Sequence, residues 1–116
     1  ALTGGGGGED LPLHVADLTG VSTKVNTKSW KATVTISVAD ASGAPVSGAV
    51  VSGAWSGGIT GTAICTTGAA GTCTVTSANI KTTKTSVTFT VADVAAGGYY
   101  YDSAANVETA ITVLKP

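Results

Sequence analysis

From Trp30 to Val38 the chain alternates without a break. Trp30, Ala32, Val34, Ile36 and Val38 fall on one side, and Lys31, Thr33, Thr35 and Ser37 on the other. A period of two over nine residues predicts a β-strand buried on one face, and a helix cannot use that pattern. Val87, Phe89 and Val91 repeat it against Thr88 and Thr90. Further strands are expected at Leu13 to Thr19, Val46 to Trp55, Ile59 to Thr66, Thr72 to Ser77, Thr85 to Val94, Tyr99 to Asp102 and Glu108 to Leu114. A phase slip near Gly48 interrupts the second of these. The Asp40 to Pro45 segment supplies turn residues, so the strands on either side of it are expected to form a hairpin that brings Trp30 and Trp55 close together.

Seven or eight short strands with turns every 8 to 12 residues predict an all-β, immunoglobulin-like antiparallel β-sandwich, with no helix. Composition agrees. The 116 residues suffice for one domain, and Gly, Thr, Ala, Val and Ser make up two thirds of them. Only 11 % are charged, against about 25 % in an ordinary soluble domain. Residues 1–10 contain five consecutive glycines and no burial pattern, which predicts a flexible linker ahead of a folded unit spanning 11–116. That order suggests a C-terminal accessory module of a longer protein.

Cys65 and Cys73 flank a glycine-punctuated turn. Two antiparallel strands meeting there would place the thiols opposite one another, so a structural disulfide is expected, and with it an oxidising compartment. A metal site would need two further ligands, and a redox-active pair would have tighter spacing. Asp17 and Asp40 end strands and are expected to hold turns through backbone hydrogen bonds.

Several function classes are disfavoured. Six lysines, no arginine and seven carboxylates give a net charge of -1, with no basic stripe along the sequence that would neutralise a run of phosphates, so no nucleic-acid partner is expected. No apolar run is long enough to span a membrane. The acids are mostly scattered in turns, whereas a glycosidase needs two facing carboxylates. His14 has no nucleophile motif nearby, which leaves a hydrolytic triad without support. No enzyme activity, metal or cofactor is expected. Asp102, Asn106, Glu108 and Asn79 could bond sugar hydroxyls or ligate calcium, or simply decorate loops; the dense acidic run of a calcium loop is missing.

Val38-Ala-Asp-Ala-Ser-Gly-Ala-Pro-Val-Ser-Gly-Ala-Val-Val51, continued by Ala54 to Gly58, Cys65 to Cys73, Ser86 to Val91 and Tyr101-Asp102, resembles the bacterial immunoglobulin-like modules of secreted proteins. Such modules serve as spacers, adhesin units and carbohydrate binders. Two tryptophans and three tyrosines behind a polyglycine segment are also similar to family 81 carbohydrate-binding modules of bacterial β-glucanases and cellulases. That resemblance implies a secreted, extracellular, non-catalytic module that holds cellulose or a related β-glucan and is tethered to a catalytic domain. A monomer is the expected state.

Stacking on the apolar face of a β-glucan requires exposed aromatic rings. Trp30, Trp55, Tyr99 and Tyr100 are the candidates. Both tryptophans fall in phase with the apolar faces of their strands and are equally readable as core; their place at strand ends keeps a ligand platform open. Three consecutive tyrosines cannot all point inward. The resemblance to immunoglobulin-like modules implies that Tyr101 is a framework residue, and with Tyr101 inward Tyr100 faces out. Phe89 is expected in the core. The alternative function is a structural spacer or adhesin-type module with no small ligand.

Overall fold

A computed structural model describes residues 11–116; the expected linker at residues 1–10 lies outside the described residues. Among the described residues, nine strands form two sheets: β1 (Leu11–Asn26), β2 (Ser29–Asp40), β3 (Val50–Ser56), β4 (Gly61–Thr66), β5 (Thr72–Thr76), β6 (Ile80–Lys81), β7 (Ser86–Ala95), β8 (Tyr99–Tyr101) and β9 (Ala110–Leu114). One sheet has the order β5-β2-β1-β8, with β6 also on β2, and the other has the order β9-β7-β3-β4. The first, second and fifth strands thus face the third, seventh and ninth.

The all-β sandwich predicted by alternation is present. β2 buries every second residue from Trp30 to Val38, and β7 buries Val87, Phe89 and Val91. Each large apolar side chain buried this way contributes about 1.5–3 kcal/mol relative to exposure. Three details differ from expectation. β6 was not foreseen, a 3-10 turn at Ser103–Ala105 follows β8, and β8 pairs with β1 in parallel whereas the other strand pairs are antiparallel.

The expected hairpin does not form. β2 pairs with β1, β5 and β6, while β3 lies in the opposite sheet between β4 and β7. The segment between them therefore crosses from sheet to sheet after the isolated Ala39 to Pro45 bridge. Val46 and Ala49 are buried on the way, and Thr67 secures the crossing. Its hydroxyl donates to the Val46 carbonyl at 2.7 Å and accepts the Ala49 N–H at 2.9 Å. Two strands separated by turn residues read as a hairpin whenever their inward faces are both apolar, and a sheet-to-sheet crossover satisfies the same pattern.

The cysteines do form a disulfide, with Cα atoms 5.8 Å apart. They do not sit on paired strands as expected. Cys65 lies on β4 and Cys73 on β5, the edge strands of different sheets, so the bond staples the sandwich along one open side. A close approach elsewhere depends on Gly20 of β1: a Cβ there would fall 2.6 Å from Val113 of β9 in the facing sheet.

Asp40 holds its turn as predicted. One carboxylate oxygen accepts the Ser42 hydroxyl at 2.6 Å and the Ser42 and Ala44 N–H groups at 2.9 and 3.1 Å. Asp17 ends no strand; it is exposed within β1, next to a register slip between Val15 and Asp17. β1 itself runs seven residues beyond its expected end at Thr19.

Candidate functional site

The Tyr99–Tyr101 run lies on the short edge strand β8, in register with Leu11, Pro12 and Leu13 of β1. Beyond Leu13, β1 loses that neighbour and would leave backbone groups unpaired on a sheet edge. The segment after β8 covers them. The Asp102 N–H donates to the Leu13 carbonyl at 2.8 Å, and the Val107 N–H donates to the Val15 carbonyl at 3.0 Å. The Asn106 side-chain oxygen accepts the Val15 N–H at 2.8 Å, and Glu108 accepts the Leu18 N–H at 3.3 Å. Asn106 also donates to the Tyr101 hydroxyl at 2.6 Å and to Thr109 at 3.1 Å. Asn106 and Glu108, candidates for sugar or calcium contact, are committed here to closing the edge of β1.

Tyr101 is half-buried, with its hydroxyl in that network. Tyr99 is half-buried against the core. Tyr100 faces outward and is 51 % exposed. Its β1 partner Pro12 lines a shallow hollow of about 250 Å³ with Leu11 and the Asp40–Ser42 turn.

The tryptophans are not on that surface. Trp30 is fully buried, and its indole N–H donates to the Lys84 carbonyl at 3.2 Å. Trp55 is 5 % exposed and packs on Phe89, ring centroids 4.9 Å apart at a 57° tilt. Their strands belong to opposite sheets, so the expected neighbourhood across a hairpin is lost, and both rings fill the interior between the sheets. Neither presents a face to a glycan, which corrects their place in the expected stacking surface. Of the four candidates, only Tyr100 is exposed. His14 is half-buried on β1 opposite Ala39. Among the described residues, no three His, Cys, Asp or Glu side chains gather where they could hold a metal ion, and no helix is long and apolar enough to cross a membrane.

Folding also gathers charge that is dispersed in the sequence. β1 runs the length of the molecule, whose extents are 56 × 23 × 19 Å. At its far end Lys28 sits in the β1–β2 turn, with Lys24 near the end of β1, Lys31 near the start of β2, and β6 alongside bringing Lys81. Lys84 is fixed there by Trp30, and the Lys115 ammonium donates to the Thr82 carbonyl at 3.1 Å. All six lysines thus occupy one pole. The described carboxylates, Asp17, Asp40, Asp93, Asp102 and Glu108, lie in the other half, level with Leu13 to Leu18 of β1 or at the β7 end that pairs with Val50–Ser52. The sequence gives no hint of this, because the lysines spread from position 24 to 115 and only strand register brings them together.

Comparison with known protein families, with curated proteins and with solved structures finds no match.

Proposed function

We propose that this sandwich is a non-catalytic spacer module, a stiff rod that sets the distance between neighbouring parts of a longer extracellular protein. The observation that carries this reading is the path of the chain along the long axis. β1 enters beside the Asp40–Ser42 turn at one pole, and β9 leads to Lys115 and Pro116 beside Asn26 and Ser29 at the other. Segments attached at the two poles are held apart by the 56 Å length of the sandwich. The main strands run along that axis, and the disulfide ties the two sheets together, so the rod resists splaying. The disulfide also fits an oxidising compartment outside the cell. Large rings stabilise the interior in this reading.

A second reading, the non-catalytic carbohydrate-binding module for cellulose or another β-glucan, keeps one supporting observation, the outward ring of Tyr100 beside the Pro12 hollow. A single half-exposed ring offers little stacking area, and an isolated exposed aromatic is ordinary for a folded surface.

The test is a pair of measurements on the same protein. Pull-down on cellulose and on insoluble β-glucan should leave the wild type in the supernatant. Fluorophores placed before Leu11 and after Pro116 should report one narrow distance close to the long axis. Retention on β-glucan that Tyr100→Ala abolishes would replace the spacer reading with the second one, and a broad distance distribution would remove the rod.

A further inference from the structure

We infer that the lysine pole is a binding site for an acidic polysaccharide, a glycan chain bearing sulfate or carboxylate groups. Six lysine positions fall at one end of the molecule, and the described carboxylates lie in the other half, so opposite charge is not interleaved with them there. Two of the lysines, Lys24 and Lys115, border an open hollow of about 490 Å³ whose lining also includes Asn26, Ser29, Thr82 and the otherwise buried Trp30. Its volume suits a small sugar unit. Its lining combines two cations for anionic substituents, hydroxyls and an amide for sugar hydroxyls, and apolar surface from Trp30 and Pro116.

The backbone under the hollow is pre-organised. The Thr82 N–H donates to the Lys28 carbonyl at 3.1 Å, which ties the loop after β6 to the β1–β2 turn. The buried Trp30 indole anchors the same loop through Lys84. Asn26 closes the turn itself, accepting the Lys28 N–H at 2.8 Å and the Ser29 hydroxyl at 3.0 Å. Lysines carried on a fixed frame lose less freedom on binding than lysines on a mobile loop.

Other polyanions fit less well. Single-stranded nucleic acid is held by bases stacking on exposed rings, and the ring at this pole, Trp30, is buried. Arginine forks, which grip phosphate and guanine in two-point contacts, do not occur in the chain. A second copy docking its acidic half end-on would have a 23 × 19 Å cross-section to cover, well below the roughly 800 Å² per partner of a standard stable interface. A linear acidic glycan needs no such area, since it gains affinity from counterion release as its charges meet successive lysines.

Binding of the protein to heparin and to polygalacturonate, measured by calorimetry at low and at moderate salt, tests the site. Duplex DNA of similar length and sodium polyacrylate serve as comparators. The expected result is binding to at least one of the two glycans that weakens with salt and exceeds binding to both comparators. The Lys24→Gln, Lys28→Gln, Lys115→Gln triple variant should lose at least tenfold in affinity, and Tyr100→Ala, at the opposite pole, should lose none. A second variant, Lys81→Gln with Lys84→Gln, spares the Lys115 contact to Thr82 and should also weaken binding; unchanged thermal unfolding shows that each variant is folded. The inference is overturned by no glycan binding at low salt, by affinity indifferent to both lysine variants, or by DNA or polyacrylate binding as tightly as the glycans. None of these outcomes bears on the rod, whose test contains no anion.

Discussion

The Asn106 side chain is bonded to the Tyr101 hydroxyl at 2.6 Å while its oxygen receives the Val15 N–H at 2.8 Å. One amide thereby joins β8, the loop after it and the slipped region of β1. Asn106→Ala leaves the Val15 N–H without its partner and should destabilise the fold by about 1–3 kcal/mol. Tyr101→Phe removes one bond and should cost about 0.5–1.5 kcal/mol. Urea unfolding of both variants checks the order; a Tyr101→Phe loss equal to or larger than that of Asn106→Ala contradicts it.

Because Cys65 and Cys73 sit on edge strands of different sheets, their bond restrains the sheets as well as a short loop. Cys65→Ser with Cys73→Ser should lower stability by roughly 2–3 kcal/mol by loop entropy. The β4 and β5 amides should lose hydrogen-exchange protection before those of β2 and β7. Uniform loss across both sheets would mean that the bond does not act at that edge.

Gly53 of β3 lies where the register against β7 shifts. A Cβ there would run into the Phe89 ring and come within 2.5 Å of the Thr90 carbonyl oxygen. Gly53→Ala should cost about 1–3 kcal/mol through overpacking and should disturb the Trp55–Phe89 contact. A thermal midpoint unchanged from wild type contradicts this.

The Asp40 carboxyl titrates below its ordinary range, first because the Ser42 hydroxyl donates to it and then because the Ala44 N–H does. A lowered folded-state pKa means that the turn's contribution is present above the ordinary carboxylate pKa and is lost as pH falls through the lowered value. Asp40→Ala should therefore be less stable than wild type at neutral pH, with the gap narrowing as the medium is acidified below the carboxylate range. Unfolding curves from pH 7 to pH 2 check the sign. A gap that widens on acidification contradicts it.

Much of the sandwich was legible because its strands bury one face each. Trp30 to Val38 and Val87 to Val91 carry that period in full, and their burial follows. The C-terminal stretch of β1 was illegible for the opposite reason. Val21 and Val25 are exposed there, and the strand persists through backbone pairing with β2 up to Asn26 and Ser29, which leaves no apolar signature. Alternation also cannot say which sheet a strand joins, so Trp30 and Trp55 were expected side by side. Of the candidate site, the outward Tyr100 followed from the period of a strand once the resemblance placed Tyr101 inward. The lysine pole did not, since it arises from register between segments far apart in sequence.

In a rod whose aromatic rings do not read glycans, both indoles are interior packing. Tryptophan emission recorded while a cello-oligosaccharide is titrated in tests this most directly. Trp30 and Trp55 should emit at short wavelength, resist a soluble quencher and remain unchanged at saturating sugar. Long-wavelength emission that shifts or is protected from quenching as sugar is added would contradict it.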